Sequence, residues 1–190
     1  MKICFATNNP NKVQEIQQLL GEDFEILSLK DIGCEEELAE TQDTLEGNSE
    51  QKARYVHEHY NVNCFADDTG LEVSALGGAP GVYSARYAGP QRSSEDNMRK
   101  LLAELKGKED RSAQFRTVIT LIVDGVQHQF EGIVRGQIAQ QQSGEEGFGY
   151  DPLFVPEGYD ISFAQMDMQE KNRISHRGRA VRKLVDFLKP

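Results

Sequence analysis

The sequence alternates between short β-rich apolar runs and segments in which apolar residues recur at helical spacing. Such alternation is typical of α/β domains, in which helices cover the faces of a sheet. Two of the β-rich runs flank Asp124-Gly125, a dipeptide that favours a two-residue hairpin turn and therefore an antiparallel strand pair. The sequence thus predicts an α/β fold with a mixed β-sheet flanked by helices. The β-rich runs lie at 2–7, 24–29, 62–66, 113–123, 126–134 and 153–155.

Four segments have the apolar spacing of helices that pack against a sheet. Ser93 or Ser94 is a candidate N-cap for the third helix, and Ser175 is a candidate for the start of the last. Glycine is frequent between 70 and 89, which predicts a loop region. No linker or low-complexity break divides the chain, so we expect a single domain over 1–190. The helical segments lie at 13–20, 44–60, 98–105 and 180–188.

Apolar content and charge exclude several classes of protein. The longest apolar run is far shorter than the ~20 residues that a membrane-spanning helix needs. No apolar run near the N-terminus is long enough for a signal peptide, so we expect a cytoplasmic protein without a membrane partner. The net charge of −10 argues against a nucleic-acid polymer as partner, because duplex binding relies on Lys and Arg to neutralise phosphates.

The three cysteines are Cys4, Cys34 and Cys64. An odd number without an export signal predicts reduced thiols. Their equal spacing is interpreted as coincidence, because the flanking sequences do not repeat. The sequence has neither a CxxC motif nor a Cys/His cluster, which argues against structural zinc.

The charge of −10 is distributed unevenly along the chain. Seven acidic residues and no basic residue lie from Glu35 to Glu50, whereas six basic residues and no acidic residue lie from Lys171 to Lys183. Each run can be a solvated helix face. The alternative is an acidic pole that binds a metal and a basic pole that binds phosphate or a base within one domain.

The loop between the first strand and the first helix has the composition of an anion site. A helix N-terminus offers free N–H groups and a partial positive charge, and a lysine here adds a full charge. The loop lacks the GxxxxGK[ST] pattern of a Walker A motif, and an ordinary capped turn with a surface lysine is the alternative. Its residues are Thr7, Asn8, Asn9, Pro10, Asn11 and Lys12.

Carboxylates follow the buried strand at 62–66 and precede the second helix. The adjacent Asp67 and Asp68 are expected to end that strand, and Glu40 lies in the acidic run. Ligands gather at the carboxyl ends of strands in open α/β sheets, and carboxylates there suit Mg²⁺. Lys52 shares a helix face with Asn48 and can contact a phosphate or keep a carboxylate ionised. The alternative for the two aspartates is a helix cap or turn.

Two further motifs have side chains that suit a nucleobase. In the first, glycines flank aromatic residues in a loop, so Phe148 or Tyr150 is able to stack on a base, unless one of them is only a core anchor. The second opens the last helix, where His176 and Arg177 are hydrogen-bond donors that together with the other loops can read a base carbonyl. On its own, a His-Arg pair is usually a surface feature.

Taken together, these motifs resemble the inosine triphosphate pyrophosphatases, enzymes that hydrolyse deaminated purine nucleoside triphosphates. Any one of them is weak evidence, but six in the family's order are highly specific. They cover the chain almost from end to end. The motifs are ATNNPNK at 6–12, ETQDTLEGNSEQKA at 40–53, ADDTGLEV at 66–73, LGGAPGVYSARYAG at 76–89, GFGYDPLF at 147–154 and KNRISHRGRA at 171–180.

The resemblance implies a fold, an assembly and a reaction. The fold would be an elongated mixed-sheet α/β structure with the nucleotide in a central cleft, and the protein would be a homodimer. The reaction would be Mg²⁺-dependent cleavage between the α- and β-phosphates, which gives a nucleoside monophosphate and pyrophosphate. The substrate would be a small nucleoside triphosphate.

The resemblance also implies a role for each matching residue. The loop from Thr7 to Lys12 would hold phosphates. Glu40 and Asp68 would bind Mg²⁺, and Asp68 would also be the catalytic base. Lys52 would support the phosphates or the attacking water, and Thr69 would contact substrate. The residues that would hold and read the purine are Phe148, Gly149, Tyr150, Asp151, Lys171, His176 and Arg177.

The sequence departs from the family pattern at three positions. Gln42 stands where the family often has glycine, and Leu45 where phenylalanine is common. Asn9 replaces a frequent small residue. These changes can alter the rim of the nucleotide cleft and leave the charged chemistry intact.

Selectivity and two alternative functions follow from the chemistry of the base. Inosine and xanthosine carry an oxygen at C6, so protein donors would pair with it and would face another donor in ATP. We therefore expect ITP, dITP and XTP to be hydrolysed well above ATP. The alternatives are a pyrophosphatase for modified pyrimidine nucleotides, and a non-catalytic nucleotide-binding or RNA-binding module that uses the basic helix.

Overall fold

The computed structural model describes residues 1–189, and they form a mixed β-sheet with α-helices. The strands are β1 (Lys2–Phe5), β2 (Glu25–Leu27), β3 (Cys64–Val73), β4 (Pro80–Gly81), β5 (Ser112–Val123), β6 (Val126–Ile138) and β7 (Phe154–Pro156). The helices are α1 (Pro10–Leu20), α2 (Leu45–Tyr60), α3 (Ser94–Leu105), α4 (Met168–Ile174) and α5 (His176–Leu188). The strand order is β2-β1-β3-β5-β6-β7, with β4 beside β3. The predicted α/β class with a mixed sheet is confirmed.

The chain divides into two compact units. Unit 1 contains 1–68, 117–132 and the segment from 177 onward, and unit 2 contains 69–116 and 133–176. Strands β3, β5 and β6 each contribute residues to both units. The expectation of a single domain over 1–190 remains a prediction.

Unit 1 has a parallel sheet core with helices on both of its faces. Strand β1 pairs in parallel with β2 and with β3, and Cys4 lies opposite Cys64. Phe65 belongs to an apolar cluster that includes α1 and α5, whereas Ala66 belongs to a second cluster that includes α2. The second cluster also contains Cys34, so all three cysteines are buried close to one another.

Unit 2 has an apolar core of its own. Leucine side chains of α3 pack with aromatic residues of β5, β7 and the segment before α4. In this unit β3 pairs antiparallel with β4, at Leu71 opposite Gly81, and β6 pairs antiparallel with β7, at Gly136 opposite Pro156. The antiparallel pairs make the sheet mixed.

Local signals in the sequence predicted several element boundaries correctly. Helix α2 begins directly after Thr44, whose side chain caps it by accepting a hydrogen bond from Gly47 N at 3.0 Å. Ser93 caps α3 in the same way. Asp124 and Gly125 have φ of 51° and 78°, which are the left-handed angles that a two-residue hairpin turn of type I′ requires. The predicted hairpin is confirmed.

One expectation about elements was wrong, and one helix was not predicted. Strand β3 does not end at Asp67 and Asp68 but continues to Val73, because Leu71 and Glu72 gain a pairing partner in β4. The last helix begins at His176, directly after the predicted Ser175, but the sequence did not predict the separate helix α4 that precedes it. The N-cap of α4 is Asp167, whose side chain accepts a hydrogen bond from Glu170 N. In the described part of the chain, no helix has both the length and the apolar character that crossing a membrane requires.

Candidate active site

Asp67 and Asp68 are adjacent buried residues of β3 that face different surroundings. Successive side chains of a strand point to opposite faces of the sheet. Phe65, two residues before Asp67, packs beneath α1 and α5, whereas Ala66, two residues before Asp68, packs beneath α2. The alternation of the strand therefore directs Asp67 toward α1 and α5, and Asp68 toward α2.

Asp67 is surrounded by cations. Lys12 Nζ lies 3.0 Å from its Oδ1, and Arg177 Nε lies 3.2 Å from its Oδ2. Burial alone would raise the pKa of this carboxyl, but the charges of Lys12, Arg177 and Lys52 outweigh burial and hold the pKa well below its usual range. Asp67 is thus a fixed anion that orients the lysine and the arginine.

Arg177 has a second acidic partner that sequence reasoning missed. Its Nη1 pairs with Glu15 Oε2, and both side chains are almost fully buried. Glu15 lies three residues after Lys12 in α1, so the two share a helix face. An acidic residue beside the buried Ile16 was the only signal in the sequence, and a solvated acid is the usual interpretation of such a residue.

The carboxyl group of Asp68 is less neutralised than that of Asp67. Its Oδ2 accepts a hydrogen bond from Asn48 Nδ2 at 3.1 Å. Burial is the main cause that raises the pKa of Asp68 to about 6, and the charge of Glu40 adds to the shift. Lys52 and Lys12 oppose it. A carboxyl group with a pKa near neutrality can exchange a proton at physiological pH, as a general base must.

Lys52 connects Glu40 to the backbone of β3. Its Nζ donates to Glu40 Oε1 at 2.6 Å and to the carbonyl oxygen of Asp67 at 2.6 Å. Burial alone would lower the pKa of Lys52, but the negative charges of Glu40, Asp67 and Asp68 outweigh burial and raise it. Lys52 therefore remains a cation among carboxylates.

The loop before α1 is ordered by its own side chains. Asn9 is the N-cap of α1, and its Oδ1 accepts from Asn11 N at 3.0 Å and from Lys12 N at 3.4 Å. Thr7 Oγ1 accepts from Asn9 N at 3.1 Å. The departure from the family pattern at Asn9 thus supplies a helix cap. Burial lowers the pKa of Lys12, and neighbouring cations lower it further although Asp67 opposes them.

A second cluster of predicted residues lies in unit 2. Lys171 Nζ is 2.7 Å from Asp151 Oδ2 and 4.8 Å from the centre of the Phe148 ring. The same carboxylate oxygen accepts from Phe148 N at 3.0 Å. Gly147 has a φ of 72°, and a Cβ there would lie 2.1 Å from Asp151 Oδ2, so the loop requires glycine at this position.

The other aromatic groups of unit 2 have structural contacts. Tyr150 is buried in the apolar core, and its hydroxyl donates to the carbonyl oxygen of Ser84 at 2.6 Å. The ring of His176 stacks on Phe115 with centroids 4.7 Å apart. Phe148 is only half-buried, so it is the more accessible of the two predicted stacking residues.

The structure therefore brings the predicted site residues together in two groups. The group in unit 1 contains both predicted metal ligands and both predicted phosphate-binding lysines. Thr69, half-buried on β3, belongs to unit 2 with the residues predicted for the base, except Arg177, which belongs to unit 1. The unit 1 group is Lys12, Glu40, Lys52, Asp68 and Arg177. The unit 2 group is Phe148, Asp151 and Lys171.

A mixed α/β fold with this charged cluster defines a known class of protein. The family model described as "Ham1 family" matches residues 3–187, and the chain belongs to the Ham1 family. Among curated relatives, a protein of Flavobacterium psychrophilum named dITP/XTP pyrophosphatase is 57% identical and covers 100% of both chains. A Bacillus subtilis protein of the same name is 45% identical over 96% of this chain and 94% of its own.

Solved structures of the family have the same fold. The Staphylococcus aureus Ham1 protein superposes with a TM-score of 0.90 at 39% identity and covers 100% of this chain and 98% of its own. A HAM1 protein from Coxiella burnetii has a TM-score of 0.91 at 35% identity, with the same coverage. The likeness therefore extends over the whole length of the chain.

Proposed function

We propose that the protein hydrolyses the deaminated purine nucleoside triphosphates ITP, dITP and XTP to the monophosphate and pyrophosphate, and so removes them from the nucleotide pool. Full-length similarity to relatives named dITP/XTP pyrophosphatase supports this proposal. The observation that carries it is the contrast between Asp67 and Asp68. One carboxylate is fixed by cations, and its neighbour has a pKa suited to proton transfer.

We propose Mg²⁺ as the cofactor, held by Glu40 and Asp68. The donor set fits: the negative charge of Glu40 raises the pKa of Asp68, so a cation shared by the two would relieve their repulsion. Mg²⁺ typically takes one or two protein carboxylates and completes its shell with waters and substrate phosphates. When bound, the ion would neutralise charge on the phosphate oxygens.

The residues of unit 1 would have separate roles in hydrolysis. Asp68 would orient a water molecule for in-line attack on the α-phosphorus and accept its proton. The new bond joins the water oxygen to phosphorus, and the bridging bond to the β-phosphate breaks. Its electron pair leaves with pyrophosphate. Lys12 and Lys52, together with the loop from Thr7, would neutralise charge that develops on the phosphates.

The residues of unit 2 would select the base. Phe148 is accessible for stacking, and Lys171 and His176 are donors suited to the oxygen at C6 of hypoxanthine or xanthine. Adenine presents an amino group at that position, so a donor would face a donor. A buried polar group left without its partner costs ~1–3 kcal/mol, and more if it is charged. Discrimination against ATP follows from this mismatch.

The predicted assembly and location are also proposals. The homodimer and the cytoplasmic location rest on the family resemblance and on sequence composition. Multi-angle light scattering of the purified protein tests the assembly, since a homodimer has twice the chain mass of 21.3 kDa. Binding of an RNA or duplex DNA ligand would contradict the expectation that no nucleic-acid polymer is a partner.

The deciding experiment is a panel of pyrophosphate release with Mg²⁺. ITP, dITP and XTP are compared with ATP, GTP and analogues of dTTP and UTP, and phosphate and pyrophosphate are quantified separately. We expect fast pyrophosphate release from ITP, dITP and XTP and slow release from ATP and the pyrimidine nucleotides. GTP also has an oxygen at C6, so its rate measures selection at C2. Equal rates for ATP and ITP would overturn the proposal. Preference for the pyrimidines would favour the alternative pyrophosphatase, and binding without turnover would favour a non-catalytic module.

A further inference from the structure

One face of α2 holds the short segment that carries Glu40. Lys52 binds the side chain of Glu40, as described above. Gln51 contacts the next residue: its Oε1 accepts from Thr41 N at 2.9 Å, and its Nε2 donates to Thr41 Oγ1 at 2.9 Å. Asn48 contacts Gln42, two residues after Glu40: the Oδ1 of Asn48 accepts a hydrogen bond from Gln42 N at 2.8 Å.

Asn48 differs from Gln51 in its second hydrogen bond. Gln51 makes both of its side-chain hydrogen bonds with Thr41, whereas the Nδ2 of Asn48 donates to Asp68 Oδ2 at 3.1 Å. Asn48 is 1% exposed, so water cannot replace these bonds easily. One amide group therefore joins the Glu40 segment to β3.

We infer that Asn48 is a positioning residue that holds Glu40 and Asp68 at the mutual distance a shared divalent cation requires. This inference rests on the proposed function of the same site. The amide suits the task because it satisfies a backbone donor and a carboxylate acceptor at once and adds no charge between the two carboxylates.

The effect of losing such a link is on metal affinity rather than on nucleotide contacts. Groups that orient metal ligands through hydrogen bonds typically contribute 10- to 100-fold to metal affinity or activity. Without Asn48, the backbone N–H of Gln42 and the carboxylate of Asp68 each lose the hydrogen bond that Asn48 makes with them. Each carboxylate then reaches the cation from a wider range of positions, and only a higher cation concentration restores occupancy.

The test compares Asn48→Ala with Gln51→Ala, a matched control. Both variants lose two hydrogen bonds from the same helix face, but only the first loses contact with Asp68. Three quantities are measured: the Mg²⁺ concentration that gives half-maximal pyrophosphate release from XTP, KM for XTP at saturating Mg²⁺, and Mn²⁺ binding to the free protein by electron paramagnetic resonance. Thermal unfolding in EDTA verifies that each variant is folded.

We expect Asn48→Ala to need about 10- to 100-fold more Mg²⁺ and to bind Mn²⁺ correspondingly more weakly, with excess Mg²⁺ restoring most of the rate. We expect Gln51→Ala to change either value less than about threefold, since it leaves Asp68 in contact with its donor. KM for XTP at saturating Mg²⁺ should stay within about threefold in both. A merely structural role would lower the unfolding temperature and leave the metal requirement unchanged.

Other outcomes separate the two proposals. Equal metal requirements in Asn48→Ala and Gln51→Ala, with an active parent protein, overturn the role of Asn48 and leave the proposed function intact. An inactive parent that binds Mn²⁺ more tightly than Asn48→Ala overturns the pyrophosphatase proposal and supports the positioning role. A parent that binds no Mn²⁺ and needs no Mg²⁺ overturns the inference.

Discussion

On the α1 and α5 side of β3, Asp67 is matched by Lys12 and Arg177 at hydrogen-bonding distance. On the α2 side, one residue along the strand, Asp68 is paired with a neutral amide and lies near the charge of Glu40. The aspartate on one face of β3 thus has a lowered pKa, and the aspartate on the other face has a raised pKa. The comparison teaches that strand alternation can separate a structural carboxylate from a reactive one at adjacent positions.

The largest effect expected from this contrast is on the rate of Asp68→Asn. The amide cannot accept the proton of the attacking water, and loss of a general base typically costs about 100- to 10,000-fold. We expect kcat for XTP to fall by that factor while the unfolding temperature is equal or higher. The control is Glu50→Gln, which removes a partly exposed acid of α2 that pairs with Arg54. A rate within a few-fold of the parent would remove Asp68 from the chemistry.

The reverse is expected of Asp67→Asn, whose main effect is on stability. The change removes the anion shared by the partly buried Lys12 and the buried Arg177, and breaking a buried ion pair from one side typically costs about 3–5 kcal/mol. Urea denaturation measures the free energy of unfolding. Asp68→Asn serves as the control, because the same substitution at the next residue removes a carboxylate that burial already disfavours. If both variants are equally stable, the two faces do not differ as described.

A smaller loss is expected from Glu15→Gln, because Arg177 keeps its contact with Asp67. Weakening one buried partner of an arginine should lower the free energy of unfolding by about 1–3 kcal/mol. Glu22→Gln is the matched surface control, since Glu22 is an exposed acid just after α1. A larger loss from Glu15→Gln than from Asp67→Asn would reverse the ranking of the two acids.

The sequence predicted the features that depend on residues close together in the chain and missed those that depend on distant residues. The loop from Thr7 to Lys12, the helix after Thr44 and the hairpin at Asp124 each depend on residues close together in the chain, and local signals predicted them. The continuation of β3 past Asp68 was missed, because two adjacent acids resemble the end of a strand unless their partners are known. Those partners lie far away in sequence: Arg177 is 110 residues from Asp67.

The two charged poles expected from the sequence correspond only in part to the structure. Lys171 belongs to α4 and pairs with Asp151, whereas Arg177 belongs to α5 and pairs with Asp67. Arg173, Arg179 and Arg182 are exposed. A run of like charges shows nothing about burial. The sequence therefore could not distinguish the two buried basic residues, Lys171 and Arg177, from the exposed ones. The run supplies residues to two units rather than one surface.

The most specific test of the contrast is the pH dependence of stability in the absence of metal. Asp68 has a folded pKa of about 6 against an ordinary value of 3.8, so the folded state holds its proton more tightly than the unfolded state. Its contribution to stability is complete below pH 3.8 and is lost as the pH rises through about 6. Asp67 has the opposite sign, because its stabilisation is present above its ordinary pKa and is lost only in stronger acid.

Comparison of the parent protein with Asp68→Asn isolates the first contribution, since Asp67 is common to both. We expect the stability advantage of Asp68→Asn to grow from pH 4 to pH 7, by at most about 1.4 kcal/mol per pH unit. Urea denaturation in EDTA at several pH values measures this difference. Added Mg²⁺ should reduce the advantage at pH 7, because a bound cation stabilises the ionised carboxylate of Asp68 in the parent alone. A difference that is constant with pH would mean that Asp68 titrates normally, and the distinction between the two faces of β3 would then be steric rather than electrostatic.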